Sequence, residues 1–264
     1  MPTVKELEAF LFSAAPKDLA MHWDNVGLLV GQPEQAVRHV LVALDITEEV
    51  VQEAAAEGME LIVAHHPVMN CKWLPVQTVR TDMPQGRILM ELIRSGISAI
   101  CMHTNLDIAE GGVNDCLAQA VGLNVLEPLG ADGCGRVGAL PEEMAMDAFL
   151  PHVARALHCS GMRYVSAGKP VRRVAVGGGG LLGLPRRCTA KEVRYLFDLG
   201  SELSRFFGCQ GHGNERDRCR PFSDRGCSLS QTRFHAAVGV PAVEYQKIHF
   251  SQRSISIFSF IKFI

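Results

Sequence analysis

Apolar positions along this chain switch repeatedly between helical spacing and short unbroken runs, and that alternation predicts most of its first half. From Val4 to Ala14 they recur at Val4, Leu7, Phe10, Leu11 and Ala14, one face of a helix. His39 to Leu44 reads as a strand ending at Asp45. Thr47 then caps a helix with Glu48 and Glu49 in its first turn and Gly58 just past its end. Leu61-Ile62-Val63-Ala64 is too short for a helix and predicts a buried strand. Thr81-Asp82 ahead of Pro84 opens a helix to Ser95, closed by Gly96, and Ile97 to Met102 is a third strand. Strands alternating with helices in this order predict an α/β fold: mainly parallel sheets flanked by helices, arranged as two interlinked α/β domains.

The second half is punctuated differently. Gly111-Gly112 precedes a short helix, Val113 to Val121, ended by Gly122, and the glycine- and proline-rich connection Pro128 to Pro141 marks a domain boundary. This divides residues 1–127 from a second α/β domain, 128–264. Asp147 to Leu157 reads as a helix despite Pro151, which is tolerable only in a first turn. Arg173 to Val176 is a strand that runs into Gly177-Gly178-Gly179-Gly180. Gly178, Gly180 and Gly183 satisfy G-x-G-x-x-G with Asp198 beyond, but Pro185 follows at once and no periodic apolar segment begins there, so a tight strand-end turn is the better reading than a dinucleotide site.

Composition narrows the class. Hydrophobic residues at 47% and charged residues at 20% are those of a globular protein, and a net charge of -2 argues against a nucleic-acid or anionic-membrane binder. The N-terminal residues form no secretion signal and no run reaches the ~18 apolar residues of a spanning helix, which places the chain in the cytoplasm as an expectation. Nine cysteines in that setting are reduced thiols, and no C-x-x-C pair suggests a redox motif or zinc ribbon.

The candidate chemistry lies at strand ends. Val63-Ala64 runs into His65-His66-Pro67, and the third strand runs into His103-Thr104-Asn105-Leu106-Asp107. A single buried histidine is ordinarily a satisfied core residue. A pair at the point where a proline stops a strand is different, because neighbouring side chains share a pocket only once the strand has ended and turned. In an open parallel sheet sites form outside the carboxyl ends of the strands, where His65, His66, His103 and Asp107 would converge as first-row metal ligands. Between them in interest lies His22 to Gly31, where Asp24, Asn25 and two glycines imply a shaped turn; Asp24-Asn25 reads either as an Asx-type turn or as a contact with the site.

His65-His66-Pro67, the Trp23-Asp24-Asn25-Val26-Gly27-Leu28 turn, His103-Thr104-Asn105-Leu106-Asp107 and Val174-Ala175-Val176-Gly177-Gly178-Gly179 together resemble the GTP cyclohydrolase I type 2 homolog family, over about residues 1–180. The resemblance implies two-domain α/β proteins with a dinuclear metal centre, commonly assembled as a homohexamer. It maps His65, His66 and Asp107 to metal ligands, with His103 beside them. It also implies two divalent ions, of which Zn, Mn, Fe, Co and Ni all suit mixed nitrogen and oxygen donors. The activity implied is metal-dependent hydrolysis of a nucleotide or phosphoester, a small-molecule substrate; the alternative is a non-enzymatic metal-binding scaffold. The family's remaining ligands, a His and a nearby Glu in a Gly-His segment, have their nearest counterpart in Gly211-His212-Gly213-Asn214-Glu215, whose spacing is one residue short. Cys209, Cys219 and Cys227 around it fit no familiar zinc pattern.

A break in composition coincides with the end of the resemblance. Residues 181–264 carry 13 Lys and Arg against 7 Asp and Glu, a formal +6, which leaves 13 against 21, or -8, for residues 1–180. The tail from Ile255 to Ile264 alternates Ile and Phe with Ser and Lys, a β-prone and weakly charged pattern. The break predicts that a reading-frame shift near the codons for Gly180 to Arg187 replaced the family's own second half. The competing reading is a divergent domain in which Lys191 to Phe207 is an amphipathic helix. Translating the gene in its other two frames decides between them. A Gly-His segment followed closely by Glu is expected in one frame; its absence from both overturns the frameshift and makes His212 and Glu215 the ligands to test.

Overall fold

The structure, a computed structural model, describes residues 1–70, 75–157 and 168–178, together with the backbone of two strands at 195–198 and 246–249. His212, Glu215, the cysteines near them and the tail from Ile255 lie outside the described residues, as does most of the glycine run after Gly178.

In chain order the elements are α1 (Val4–Ala14), β1 (Gly27–Val30), β2 (His39–Ala43), α2 (Glu48–Ala56), β3 (Leu61–Ala64), α3 (Pro84–Arg94), β4 (Ser98–Cys101), α4 (Thr104–Ile108), α5 (Val113–Ala120), β5 (Asn124–Pro128), β6 (Arg136–Met144), α6 (Met146–Ala156), β7 (Val171–Gly177), β8 (Tyr195–Asp198) and β9 (Gln246–His249). They fall into two compact units. One holds Met1–Val113 and β9; the other begins at Asn114 and runs on through β8.

In the first unit the sheet order is β1-β4-β3-β2-β9. The central pairs β4-β3 and β3-β2 are parallel, and the outer strands β1 and β9 run antiparallel to their neighbours. The β-α-β-α-β order expected from β2 to β4 is therefore present, with an antiparallel edge strand where the sequence suggested only a turn. All four residues of β3 and of β4 are buried, as befits strands covered on both faces. Leu41 and Ile62 pack with Val51 of α2 and with Leu89 and Leu92 of α3 in one core. The helix ends follow local chemistry. Thr3 and Glu6 form a capping box on α1, and the Thr47 hydroxyl accepts from the Val50 N–H on α2. At Gly96 the chain takes φ 63°, a left-handed value glycine adopts without strain, and the Ile97 N–H reaches back 2.9 Å to the Leu92 carbonyl to close α3. The start of α3 differs from expectation: Pro84 holds the first position, but Met83 precedes it and no side chain caps it, so Thr81 and Asp82 lie one step too early.

The second unit carries a sheet of order β5-β6-β7-β8, antiparallel except for the parallel β7-β8 pair. Leu117, Val121, Leu140, Phe149, Val153 and Val174 form its core. Pro151 sits inside α6, beyond the first turn to which it was expected to be confined. Phe149 and Val153, buried on either side of it, hold the helix together across the bond that the proline cannot donate. Within the Lys191 to Phe207 stretch, where the competing reading expects a helix, the described residues Tyr195–Asp198 form a strand, β8, in register with Val174–Gly177; Tyr195, Leu196 and Phe197 are strand formers whose backbone a neighbouring edge can pair. Among the described residues no helix is long and apolar enough to cross a membrane.

Candidate metal centre

Strand register assembles the site. Ala43 is paired with Ala64, and Ala64 with Cys101, so β2, β3 and β4 end level with one another. The ladder continues one step further, with the His65 N–H on the Ala43 carbonyl and the Met102 N–H on the Ala64 carbonyl. Asp45, His65 with His66, and His103 therefore emerge together at the carboxyl ends of three adjacent strands. His65 and His103 are buried, and one ring nitrogen from each of His65, His66 and His103 lies within 4.8 Å of the others. The ring centroids are 5.0 Å apart for His65–His66 and His65–His103, and 5.6 Å for His66–His103.

Asp107 reaches the same place on α4. The His103 N–H donates to Asn105 Oδ1 at 3.0 Å, and Asn105 Nδ2 donates to the Ala15 carbonyl at 2.7 Å, which fixes this five-residue helix to the end of α1. One turn on, Asp107 Oδ1 stands 3.7 Å from His65 Nε2. The residues expected from the sequence, His65, His66 and Asp107, are thus brought together, and His103 stands among them.

What each imidazole does with its other nitrogen defines the chemistry. His65 Nδ1 is 2.9 Å from the Met102 carbonyl, which only accepts, so Nδ1 carries the proton. His66 Nδ1 is 2.7 Å from Asp45 Oδ1, and His103 Nδ1 is 2.9 Å from each Asp24 carboxylate oxygen. All three rings are held from behind through Nδ1, which makes Nε2 the nitrogen each can offer to a cation. This is the arrangement in which a ligating histidine is oriented by an acceptor on its far side. The Asp24 carboxylate also accepts from the Thr104 N–H and hydroxyl, while the Asn25 N–H donates to Asp24 Oδ1. Of the two readings of the Asp24-Asn25 turn, the contact with the site is the one the geometry contains.

Charge follows from burial. Desolvation, followed by repulsion from the His66 and His103 rings, holds the His65 pKa well below the ordinary histidine value, so the ring is neutral. Burial pushes the Asp107 carboxyl up to about 7, opposed by His66 and reinforced by Asp24. Burial also pushes Asp24 up, but bonds from His103 and Thr104 outweigh it and keep the group below its usual range, hence ionised. His66 and Asp45 retain 41% and 44% side-chain exposure, so the cluster opens to solvent on their side. Neither Asp45 nor the Met102 carbonyl has a role in the sequence reading. The rule that picked out the histidines, strand carboxyl ends, applies equally to Asp45 at the end of β2; a backbone carbonyl leaves no signal at all.

The sequence model of the Duf34/NIF3 (NGG1p interacting factor 3) family matches residues 2–196. A protein of Streptomyces coelicolor named GTP cyclohydrolase 1 type 2 homolog is 37% identical over 190 residues, 68% of this chain and 66% of the relative. Other such relatives are matched over as little as 30% of their length, so the chain spans from about a third to two thirds of the curated proteins it resembles. Among solved structures, a Bacillus cereus protein related to NIF3 is 27% identical with a TM-score of 0.68, covering 75% of this chain and 82% of its own. Reduced HcgD from Methanocaldococcus jannaschii is 29% identical with a TM-score of 0.65, covering 75% of this chain and 78% of its own.

The raised Asp107 pKa has a stability consequence. In the unfolded chain this carboxyl titrates near its ordinary value of 3.8, against about 7 in the fold. Ionising it inside the fold is therefore unfavourable, with a cost that is absent below both values, grows between them and is complete above pH 7, where it reaches roughly 4 kcal/mol. In the presence of a chelator, Asp107→Asn should unfold at a higher temperature than the unsubstituted protein at pH 8, with the advantage shrinking as pH falls through 7 toward 4. An advantage that is missing at pH 8, or indifferent to pH, contradicts this account of the site.

Proposed function

The chain belongs to the Duf34/NIF3 family, and from that membership and its donor set we propose that it is a metal-binding protein holding two divalent ions through His65, His66 and Asp107, and acting as a hydrolase on a nucleotide or phosphoester. The observation that carries the metal reading is the convergence of one ring nitrogen from each of three histidines within 4.8 Å. Imidazoles anchored through Nδ1 turn lone pairs toward one small volume beside a buried carboxylate, a combination that is costly without a positive charge between them. Nitrogen and carboxylate donors suit Zn, Mn, Fe, Co or Ni. When bound, two such ions supply Lewis acidity and an activated water for hydrolysis.

The chain's own residues divide the remaining work. His65 is neutral and needs to lose no proton to serve as a donor. Asp107 must give one up below about pH 7, so protons compete with metal there. The partly exposed His66 and Asp45 mark the side from which a small substrate enters, and the buried Asp24, His65 and His103 close the opposite side to water.

A second reading, metal binding without turnover, is favoured by one observation: the family match ends at residue 196, ahead of His212 and Glu215, the nearest counterparts of the family's remaining ligands. Metal analysis and assay separate the possibilities. Purified protein should hold divalent metal that His65→Ala/His66→Ala/Asp107→Ala loses while keeping its circular dichroism spectrum; stoichiometric metal on the folded triple variant refutes the ligand set. With Zn or Mn supplied, hydrolysis of GTP or a simple phosphoester that His65→Ala abolishes supports the hydrolase, and binding without turnover supports the second reading.

By resemblance we also propose a homohexamer. Light scattering at micromolar concentration should report a mass near six times the 28.8 kDa chain; a strictly monomeric species rejects the hexamer.

A further inference from the structure

Asp24 occupies the loop between α1 and β1, far in sequence from the strand-end motifs, yet its carboxylate has no side-chain exposure. Every contact it makes there is that of an acceptor: His103 Nδ1 at 2.9 Å, the Asn25 N–H at 2.9 Å, the Thr104 N–H at 3.0 Å and the Thr104 hydroxyl. The Thr104 hydroxyl oxygen in turn accepts from the Met21 N–H at 2.9 Å, which closes the loop onto the start of α4. A carboxylate that only accepts leaves His103 one neutral form, protonated on Nδ1 and bare on Nε2. That form matches the one His65 is given by the Met102 carbonyl and His66 by Asp45, and the three rings offer nitrogens within 4.8 Å of one another.

We propose that Asp24 is the positioning residue that makes His103 a third nitrogen donor to the metal centre, beside His65 and His66. The proposal rests on the metal reading above and adds to it one ligand and the group that orients it. Asparagine is the informative replacement. It keeps the size of Asp24 but has one acceptor oxygen for four donors, and because His103 Nδ1 lies 2.9 Å from both carboxylate oxygens an amide N–H stands against His103 in either orientation of the side chain. Facing His103, that N–H demands a bare Nδ1 and moves the ring proton to Nε2, where it blocks ligation. Loss of such an orienting acceptor typically weakens metal affinity 10- to 100-fold.

The test uses full-length protein labelled with ¹⁵N-histidine, chelator-treated and held at about pH 8.5, above the ordinary histidine range. Nitrogen-proton correlation spectra report the His103 tautomer without any metal, and competition with a chromophoric chelator reports zinc affinity. Expected are an Nδ1-protonated His103 in the unsubstituted protein, a shift to the Nε2-protonated form in Asp24→Asn, and zinc binding about 10- to 100-fold weaker in that variant. Thr104→Val removes the hydroxyl bond and leaves the carboxylate on His103, so it should lose stability while keeping both tautomer and affinity. An Nε2-protonated His103 in the unsubstituted protein overturns the proposal, as does an Asp24→Asn variant with unchanged tautomer and affinity. Equal loss of affinity in Thr104→Val also overturns it, because Asp24 would then act only by holding the loop. Zinc binding by the unsubstituted protein that Asp24→Asn leaves intact sinks this proposal alone, whereas no zinc binding by the unsubstituted protein sinks the metal reading together with it. Should Asp24→Asn fail to fold, His103→Gln takes its place in the affinity arm: a drop of that size supports a third donor and an unchanged affinity rejects it.

Discussion

A neutral imidazole has two nitrogens and one proton, and the site depends on where that proton is kept. At His65, His66 and His103 it is kept on Nδ1 by a carbonyl, Asp45 and Asp24 respectively. Those acceptors come from three different parts of the chain, and what brings them into place is backbone register. Because Ala43, Ala64 and Cys101 lie level across the parallel strands, the residues that follow them leave the sheet side by side. A slip of one residue would carry each histidine to the opposite face. The buried core beneath, with Leu41, Ile62, Leu89 and Leu92, is what makes such a slip costly.

How much of this could be read from residues alone depended on how local the cause was. Helix caps such as Thr47 and Gly96 act within one turn, and their elements emerged close to the expected bounds. His65-His66-Pro67 was legible because a histidine pair at a strand end has few structural uses. Strand β1 was hidden because Gly27 and Gly31 look like turn residues, and its identity as a strand comes from pairing with β4, which lies far along the chain. Helix α4 was hidden too: five residues make no period, and what holds them is the Asn105 bond to Ala15 at the end of α1. Pro151 broke a local rule that tertiary packing overrode. Asp24 stood out as a polar residue in an apolar stretch, but only the fold shows that its partners are His103 and Thr104, since nothing in the sequence spacing relates the two segments.

The two boundaries near the end of the family's stretch bear on each other. Charge changes sign at about residue 181, while the family match persists to residue 196. The β7-β8 pair spans that interval, with Val174 to Gly177 running parallel to Tyr195 to Asp198. Pairing of this kind needs only a strand-competent backbone and makes little demand on side chains.

Three carboxylates surround the three imidazoles, and their energetics differ in a way that favours a cation. Asp24 is buried and ionised, stabilised by its donors. Asp45 shares its exposure with His66 and is solvated. Asp107 is buried close to His65 Nε2, and Asp24 makes its ionisation harder still. Protonating the histidines would relieve the carboxylates, but burial and mutual repulsion keep His65 neutral. Protonating Asp107 relieves one charge and leaves the imidazole lone pairs facing one another. A divalent ion stabilises the ionised carboxylate and the bare nitrogens at once, which neither protonation achieves. The strain that an apo site of this design carries is thus the same quantity that a bound ion would remove, so binding strength and apo stability are opposed through a single residue, Asp107.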